Sequence, residues 1–260
     1  MIVFQDRVTL DIADGIADVR LARPEKLNAL DRDMFTAIAD AVAHLEGVTD
    51  LRAVVLSGQG RAFCAGIDTA ALAETVGVPE QLTVPTHGPA NLFQQATWGW
   101  HTLPVPVIAA IHGVAFGGGF QIMLGADIRV MTPDTRLSVM EVRWGLVPDM
   151  GGIARMQGLA GDDVIRDLTF TGREFTGADA LTLGFATRLS GTPLDDAMDT
   201  ARLIATRSPE AVRAAKRLLN AAADRDAADI LYHEAREQTA LLRSAQHAAT
   251  LAAAKGPSRR

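Results

Sequence analysis

Residues 113–130 read GVAFGGGFQIMLGADIRV. Three consecutive glycines, Gly117, Gly118 and Gly119, follow the apolar run PVIAAI at 106–111. An amide, Gln121, stands just beyond them among Phe120, Ile122, Met123 and Leu124. The longer run VPVIAAIHGVAF (105–116) reads as one buried strand. GGGFQIMLGAD (117–127) reads as a turn into a helix, and IRVMT (128–132) as another strand. A strand that turns sharply into a helix exposes the first backbone N–H groups, which carry partial positive charge. Glycine lets a ligand approach those groups because no Cβ intervenes. A tight, closely packed turn is the plainer reading of a lone triplet. Neither nucleotide motif fits: the third glycine of a dinucleotide fingerprint falls at Ile122, and no Gly-Lys-Ser/Thr follows.

The same alternation extends in both directions. VTLDIADGIADVRLA (8–22) is a hairpin signal, two alternating segments around Asp14-Gly15. A helix starts near Asp31, with Met34, Phe35, Ile38, Ala41, Val42 and Leu45 on one face. LRAVVLSG (51–58) is a buried strand. Residues 73–100 read as irregular, with Pro79, Pro85, Gly88 and Pro89, and form a candidate lid. Strands and helices in turn predict an α/β fold. Beyond about residue 195 the pattern is helical throughout, and SPEAVRAAKRLLNAAA (208–223) places Ser208 as N-cap and Pro209 at the first helical position.

Composition narrows the function. The 260 residues are 48% hydrophobic and carry a formal net charge of -6. No excess of Lys and Arg is available for phosphates, so a nucleic-acid role is disfavoured. Cys64 is the only cysteine, which excludes an intrachain disulfide. Asp6 and Arg7 interrupt the start before a signal-peptide core forms, and no apolar run reaches membrane-spanning length. The expectation is a cytoplasmic protein with no membrane or nucleic-acid partner. His101, His112 and His233 form no credible metal-ligand set.

Two further stretches bear on chemistry. RAFCAGID (61–68) also follows a strand and carries a glycine turn, so two turns are available to supply two N–H donors to one developing anion. SVMEVRWGLVPDMGG (138–152) sets Glu141 between Met140 and Val142, and Asp149 between Pro148 and Met150. Apolar neighbours favour a raised carboxyl pKa and base chemistry. A solvated surface acid is the ordinary alternative for each.

Taken in order, RPEKLNAL (23–30), RAFCAGID, IAAIHGVAFGGG (108–119), GLVPDMGG (145–152) and TGREFTGADALTLGFATRL (171–189) resemble the crotonase superfamily, the enoyl-CoA hydratase/isomerase family. The resemblance covers most of the chain. It implies a spiral of repeated ββα units over residues 1–195, and a C-terminal helical region, 196–260, that supports a homotrimer or a hexamer made of two trimers. It implies an acyl-CoA thioester as substrate, with no metal and no redox cofactor. The thioester oxygen would lie between the N–H groups of Ile67 and Gly118. Coenzyme A would pass Lys26, Leu27, Ala29, Ala65, Gly66, Asp68 and Gly117. The alternative for Asp68 is that its side chain merely caps the helix that follows. Phe93, Trp98 and Trp100 are the expected acyl-pocket residues.

The chain departs from the family's hydratases at one decisive position. Those enzymes hold one water between two glutamates, and the first of these positions is Gln121 here. An amide takes no proton from water at neutral pH, so hydration should be crippled, whereas a single base, Glu141, suffices to move a double bond. Gln121 would orient the thioester or a water. Asp149 stands where the family's dienoyl-CoA isomerases keep an aspartate, although those also carry an acid at the Gln121 position. The final helix, TLAAAKGPSRR (250–260), has one lysine, Lys255, and no aromatic residue for the adenine. The reading that results is an acyl-CoA double-bond isomerase, with Glu141 as principal base and Asp149 as second acid/base. The alternatives are a slow one-glutamate hydratase and a non-catalytic acyl-CoA-binding protein.

Overall fold

A computed structural model describes residues 1–71, 77, 82–222 and 225–255. The hairpin forms as its turn residues require. β2 (Val8–Ala13) and β3 (Ile16–Leu21) pair antiparallel with Ala13 opposite Ile16. Asp14 and Gly15 take φ of 53° and 75°, the left-handed pair of a tight hairpin turn. β1 (Ile2–Phe4) adds to β2, and β4 (Ala53–Gly58), β5 (Val107–Ile111), β7 (Ile128–Met131) and β10 (Arg188–Leu189) continue the sheet in parallel. A smaller sheet holds β6 (Val114–Phe116), β8 (Arg136–Ser138) and β9 (Phe175–Thr176).

The run 105–116 is therefore two strands, not the single one expected. Gly113 breaks it with φ 66°, and a Cβ there would lie 2.0 Å from Arg61 O. β5 stays in the large sheet while β6 turns into the small one. Hydropathy cannot reveal the break, because both halves are apolar and buried.

This break is the repeating unit of the fold. Each coil runs one strand in the large sheet, a short extended segment in the second layer, then a helix. β5, β6 and the helix Gly118–Leu124 make one coil. β3, the bridge residue Leu30 and the helix Arg32–Glu46 make another, with Asp31 capping the helix at Met34 N (2.9 Å). Second-layer segments of successive coils stack in parallel, Leu30 on Ile67, Cys64 on Ala115, and Ala115 on Leu137. Equivalent turns of neighbouring coils thus come side by side, which is how glycine turns far apart in sequence meet.

Strand alternation divides the core. Val54 and Leu56 of β4, and Val107, Ala109 and Ile111 of β5, enter the main core. Val55, Ile108 and Ala110 face the other way, against Ala197 and Ala201 of the helix Pro193–Ala205. That helix crosses the expected 195/196 boundary and belongs to the sheet. The helices Pro209–Ala222, Ala227–Leu242 and Ala245–Lys255 follow, the first capped by Ser208 Oγ at Ala211 N as expected. Lys216 ties it down: its Nζ donates to Trp100 O, Val105 O and Asp127 Oδ2 at 2.8–3.3 Å. Among the described residues no helix is long and apolar enough to cross a membrane.

The irregular reading of 73–100 needs correction at its end. Leu92–Thr102 is a helix, and its Asn91/Gln94 capping box is complete in both directions. Asn91-Leu92-Phe93-Gln94 is the local signal for this helix start, and it directly follows the turn-forming Pro85, Gly88 and Pro89. Residues 72–76 and 78–81 of the expected lid lie outside the described residues. The helix packs on Arg32–Glu46 through an edge-on contact of Phe93 with Phe35, 4.8 Å between centroids.

Candidate active site

Each glycine of the triplet answers a different steric demand. Gly117 precedes the helix with φ 49° and ψ -115°, and its N–H donates to Ser138 O (2.9 Å). Its missing side chain leaves room for the Glu141 carboxyl: a Cβ would sit 3.4 Å from Oε1. At Gly118 a Cβ would lie 2.7 Å from Leu30 Cδ1 and 2.9 Å from Met150 Sδ. At Gly119 it would meet Cys64 O at 2.3 Å. So the triplet packs closely, as the plainer reading held, and it also leaves the Gly118 N–H without an acceptor among the described residues.

The second turn lies against the first. Phe116 N donates to Cys64 O (3.1 Å), and Leu30 N to Gly66 O (2.8 Å). The Cβ position of Gly66 is 2.5 Å from Phe116 O and 3.6 Å from Gly118 N. Like Gly118, Ile67 donates its N–H to no acceptor among the described residues. Gly66 has φ +87°, so Gly66→Ala combines left-handed strain of about 1–2 kcal/mol with a backbone overlap. The expected result is a loss of at least that much stability, read as a fall in the urea midpoint.

Asn28 organises the loop beneath, and sequence reasoning missed it. Leu27 and Asn28 both take left-handed φ, 51° and 56°. Asn28 Oδ1 accepts from Arg23 N, and Nδ2 donates to Gln59 O, Ala62 O and Phe63 O. The only signal was an asparagine, a residue tolerant of that conformation, within KLNAL. Arg23 straps the same loop to Asp68 (2.9 Å) and lies 3.5 Å from Asp31.

Gln121 and Glu141 form the centre. Gln121 is 1% exposed. Its Oε1 accepts from Met150 N (2.9 Å) and Gly152 N (3.0 Å), and its Nε2 donates to Glu141 Oε1 (2.6 Å). Glu141 Oε2 is buried with no hydrogen-bond partner among the described residues. Burial raises the Glu141 pKa. Its own N–H and Gln121 oppose that shift, and the charge of Asp149 adds to it. Asp149 keeps a solvent-exposed face, yet enough protein surrounds its carboxyl for desolvation to raise its pKa too. Two carboxyls with raised pKa thus accompany two adjoining glycine turns with unengaged N–H groups, an arrangement suited to moving protons next to a developing oxyanion.

The sequence profile described as enoyl-CoA hydratase/isomerase matches residues 11–256. The chain belongs to the enoyl-CoA hydratase/isomerase family. It is similar to a probable enoyl-CoA hydratase of Mycobacterium bovis, 34% identical over 208 residues that cover 80% of each chain. It is also similar to the mitochondrial Delta(3,5)-Delta(2,4)-dienoyl-CoA isomerase of Rattus norvegicus, 32% identical over 210 residues, 77% of this chain and 64% of that one. The crystal structure of an enoyl-CoA hydratase from Bacillus anthracis superposes with a TM-score of 0.87 at 26% identity, covering 96% of both chains.

The residues that the family resemblance singled out do not all stand alike. Lys26 is exposed, Leu27 partly so, and Ala29 is buried. Ala65 N–H is engaged by Leu27 O (2.9 Å), and Gly117 N–H by Ser138 O, so neither donor is open to a ligand. Asp68 accepts from Ala70 N (3.1 Å), the capping role weighed above, and from Arg23, which holds its carboxyl below the usual range. Gln121 is not open to orient substrate, because the protein itself engages both ends of its amide. Trp100 has no exposed surface, and Phe93 packs in the core, so neither is open to a ligand. Trp98 is partly exposed, 4.0 Å from the Cβ position of Gly151. The side chain of Lys255 lies outside the described residues.

His101, His112 and His233 are dispersed. His112 Nε2 meets Gly60 O (3.0 Å), and His233 meets Asp229 (3.4 Å). Burial and nearby Arg155 and Lys216 push the His101 pKa down to about 4. Burial pushes the Cys64 thiol up to about 12, and its Sγ donates to Asn28 O (3.1 Å), a packing role.

Proposed function

We propose that this family member is an acyl-CoA double-bond isomerase. The observation that carries the reading is the Gln121–Glu141 contact. An amide stands 2.6 Å from the base, where a hydratase of the family would hold a water with a second carboxylate. In the proposed reaction Glu141 takes a proton from C2 of the acyl chain. The thioester oxygen gains negative charge and is stabilised by the N–H groups of Ile67 and Gly118. Donors preorganised in this way act on the transition state more than on the ground state, each contributing about 2.7–4 kcal/mol. The proton returns at C4 of a 3-enoyl chain, or a proton arrives at C6 of a 3,5-dienoyl chain from Asp149. Only protons move, so the proposal calls on no metal or redox cofactor.

The rat relative's name supports the dienoyl variant. Hydration is the second reading, favoured by the names of the other similar proteins. The test is a panel of 2-enoyl-CoA in water, 3-enoyl-CoA and 3,5-dienoyl-CoA. Isomerisation exceeding hydration is expected, and the reverse order overturns the reading. No turnover on any of the three, with acyl-CoA still bound, would instead indicate a binding protein. We also infer a homotrimer or a pair of trimers. Leu219, Leu231, Tyr232 and Leu242 of the C-terminal helices are all more than half exposed in the single chain, which suits an interface. Sedimentation velocity tests this.

A further inference from the structure

We propose that Gln121 is a positioning residue that holds the Glu141 carboxyl through Oε1 and ties it to the Met150–Gly152 turn. The inference rests on the reading of Glu141 as base and says how that base is set. Two backbone N–H groups, of Met150 and Gly152, point at one end of the Gln121 amide. Only the carbonyl oxygen accepts hydrogen bonds, so the amide has one possible orientation, with its NH2 toward Glu141. A donor at 2.6 Å keeps Glu141 Oε1 engaged. Oε2 is buried and without a partner among the described residues, so the contact with Gln121 is what anchors the carboxyl through its side chain. The carboxyl also rests over Gly117, one residue before the unengaged Gly118 N–H.

The same amide sets the spacing of the two acids. It grips the Met150 N–H, adjacent to Asp149, with one end and Glu141 with the other. A glutamate at 121 would keep its oxygen on Met150 and Gly152, but its second oxygen would face Glu141 Oε1 and require a shared proton. The amide lets Glu141 ionise alone. Other charges around the pair point elsewhere. Arg143, on Glu141's own turn, packs at Gly172, where its Cγ is 3.1 Å from the Cβ position. Arg155, on the helix Gly152–Met156, donates to Leu124 O and lies 3.5 Å from His101. On the helix Asp162–Thr171, Asp162 pairs with Arg166 and Asp167 with Arg173. Asp149 is the titratable neighbour that acts on Glu141.

The test compares Gln121→Met and Gln121→Glu with wild type in two measurements. The first is infrared titration of the Glu141 carboxyl band in the ligand-free protein, the band identified by its loss in Glu141→Gln. The second is the pH profile of kcat on the panel. Without the donor, Gln121→Met should raise the Glu141 pKa by at least about one unit and lower kcat about tenfold at neutral pH with KM little changed. Gln121→Glu should turn a single acid limb into a bell, because the pair works only while it shares one proton. If the Met variant fails to fold, the Glu variant carries the test, since it keeps an acceptor for Met150 and Gly152. Unchanged Glu141 titration in a folded Met variant, or a Glu variant with the wild-type profile, overturns the proposal. The infrared titration reads the contact even if wild type turns over none of the panel, so failure of the isomerase reading remains distinguishable.

Discussion

Glu141→Gln lowers kcat on every substrate that wild type isomerises by at least ~100-fold, the low end of what a general base contributes. Binding of a CoA ester stays nearly intact, because the N–H groups of Ile67 and Gly118 are backbone and remain in place. A variant with the wild-type rate on any isomerised substrate would remove Glu141 from the mechanism. The same substitution should stabilise the fold, with a definite sign in pH. Burial raises the folded pKa of Glu141 above its ordinary value. Between the unfolded and folded pKa values the native protein holds a proton that the unfolded chain has released, so stability falls as pH rises through that window. Glutamine has no such loss. The variant therefore melts above wild type at pH values beyond the folded pKa, and the advantage vanishes below pH ~4, under the unfolded value. Kinetic loss together with thermal gain marks a carboxylate kept for chemistry and not for packing. Wild-type activity should correspondingly fall on the acid side at a pH above the ordinary carboxylate range.

What was legible in the chain follows from what local patterns encode. The hairpin at Asp14-Gly15, the helix start near Asp31 and the turn at Gly117 are set by residues adjacent in sequence, and the structure contains all three. Glu141 could be singled out because its neighbours are apolar. Its partner's behaviour could not. Gln121 reads as a polar side chain facing substrate, yet the amides that capture it belong to Met150 and Gly152, 29 and 31 residues away. The break at Gly113 was hidden because the strands on both sides are apolar. It depends on the approach of Arg61 O, a contact made only when the coils stack. Asn28 was missed for the same reason: three of its partners come from another coil. Phe93 and Trp100 read as pocket residues because they fall in a segment that looks irregular, whereas both are buried on the helix Leu92–Thr102. Helical periodicity through a recognised Asn91 cap would have placed both toward the core.

Asp149→Asn separates the two proton routes. In a 1,3 shift Glu141 removes a proton from C2 and returns it at C4, two bonds along the chain, within reach of one carboxylate. Asp149 is then a polar wall, and the variant should slow a 3-enoyl-CoA little. With a 3,5-dienoyl-CoA the proton lost at C2 is matched by one gained at C6, too far for the same carboxyl held by Gln121 at Oε1. A second acid on the opposite side of the chain is required. Asp149 meets the requirements in three respects. Desolvation raises its pKa, which favours the protonated form that a proton donor needs. When it is ionised its charge acts on Glu141, so the two carboxyls are near neighbours. Its solvent-exposed face lets it regain a proton after turnover while Glu141 releases one. Asparagine keeps the shape but has no proton of suitable acidity. The expected result is a loss of at least ~100-fold on the dienoyl substrate, with the 3-enoyl rate spared in the same preparation. Because both rates are read on one variant, a general defect in folding or CoA binding would depress them together. Equal small effects on the two substrates would exclude proton transfer by Asp149 and leave Glu141 as the only acid/base of the site.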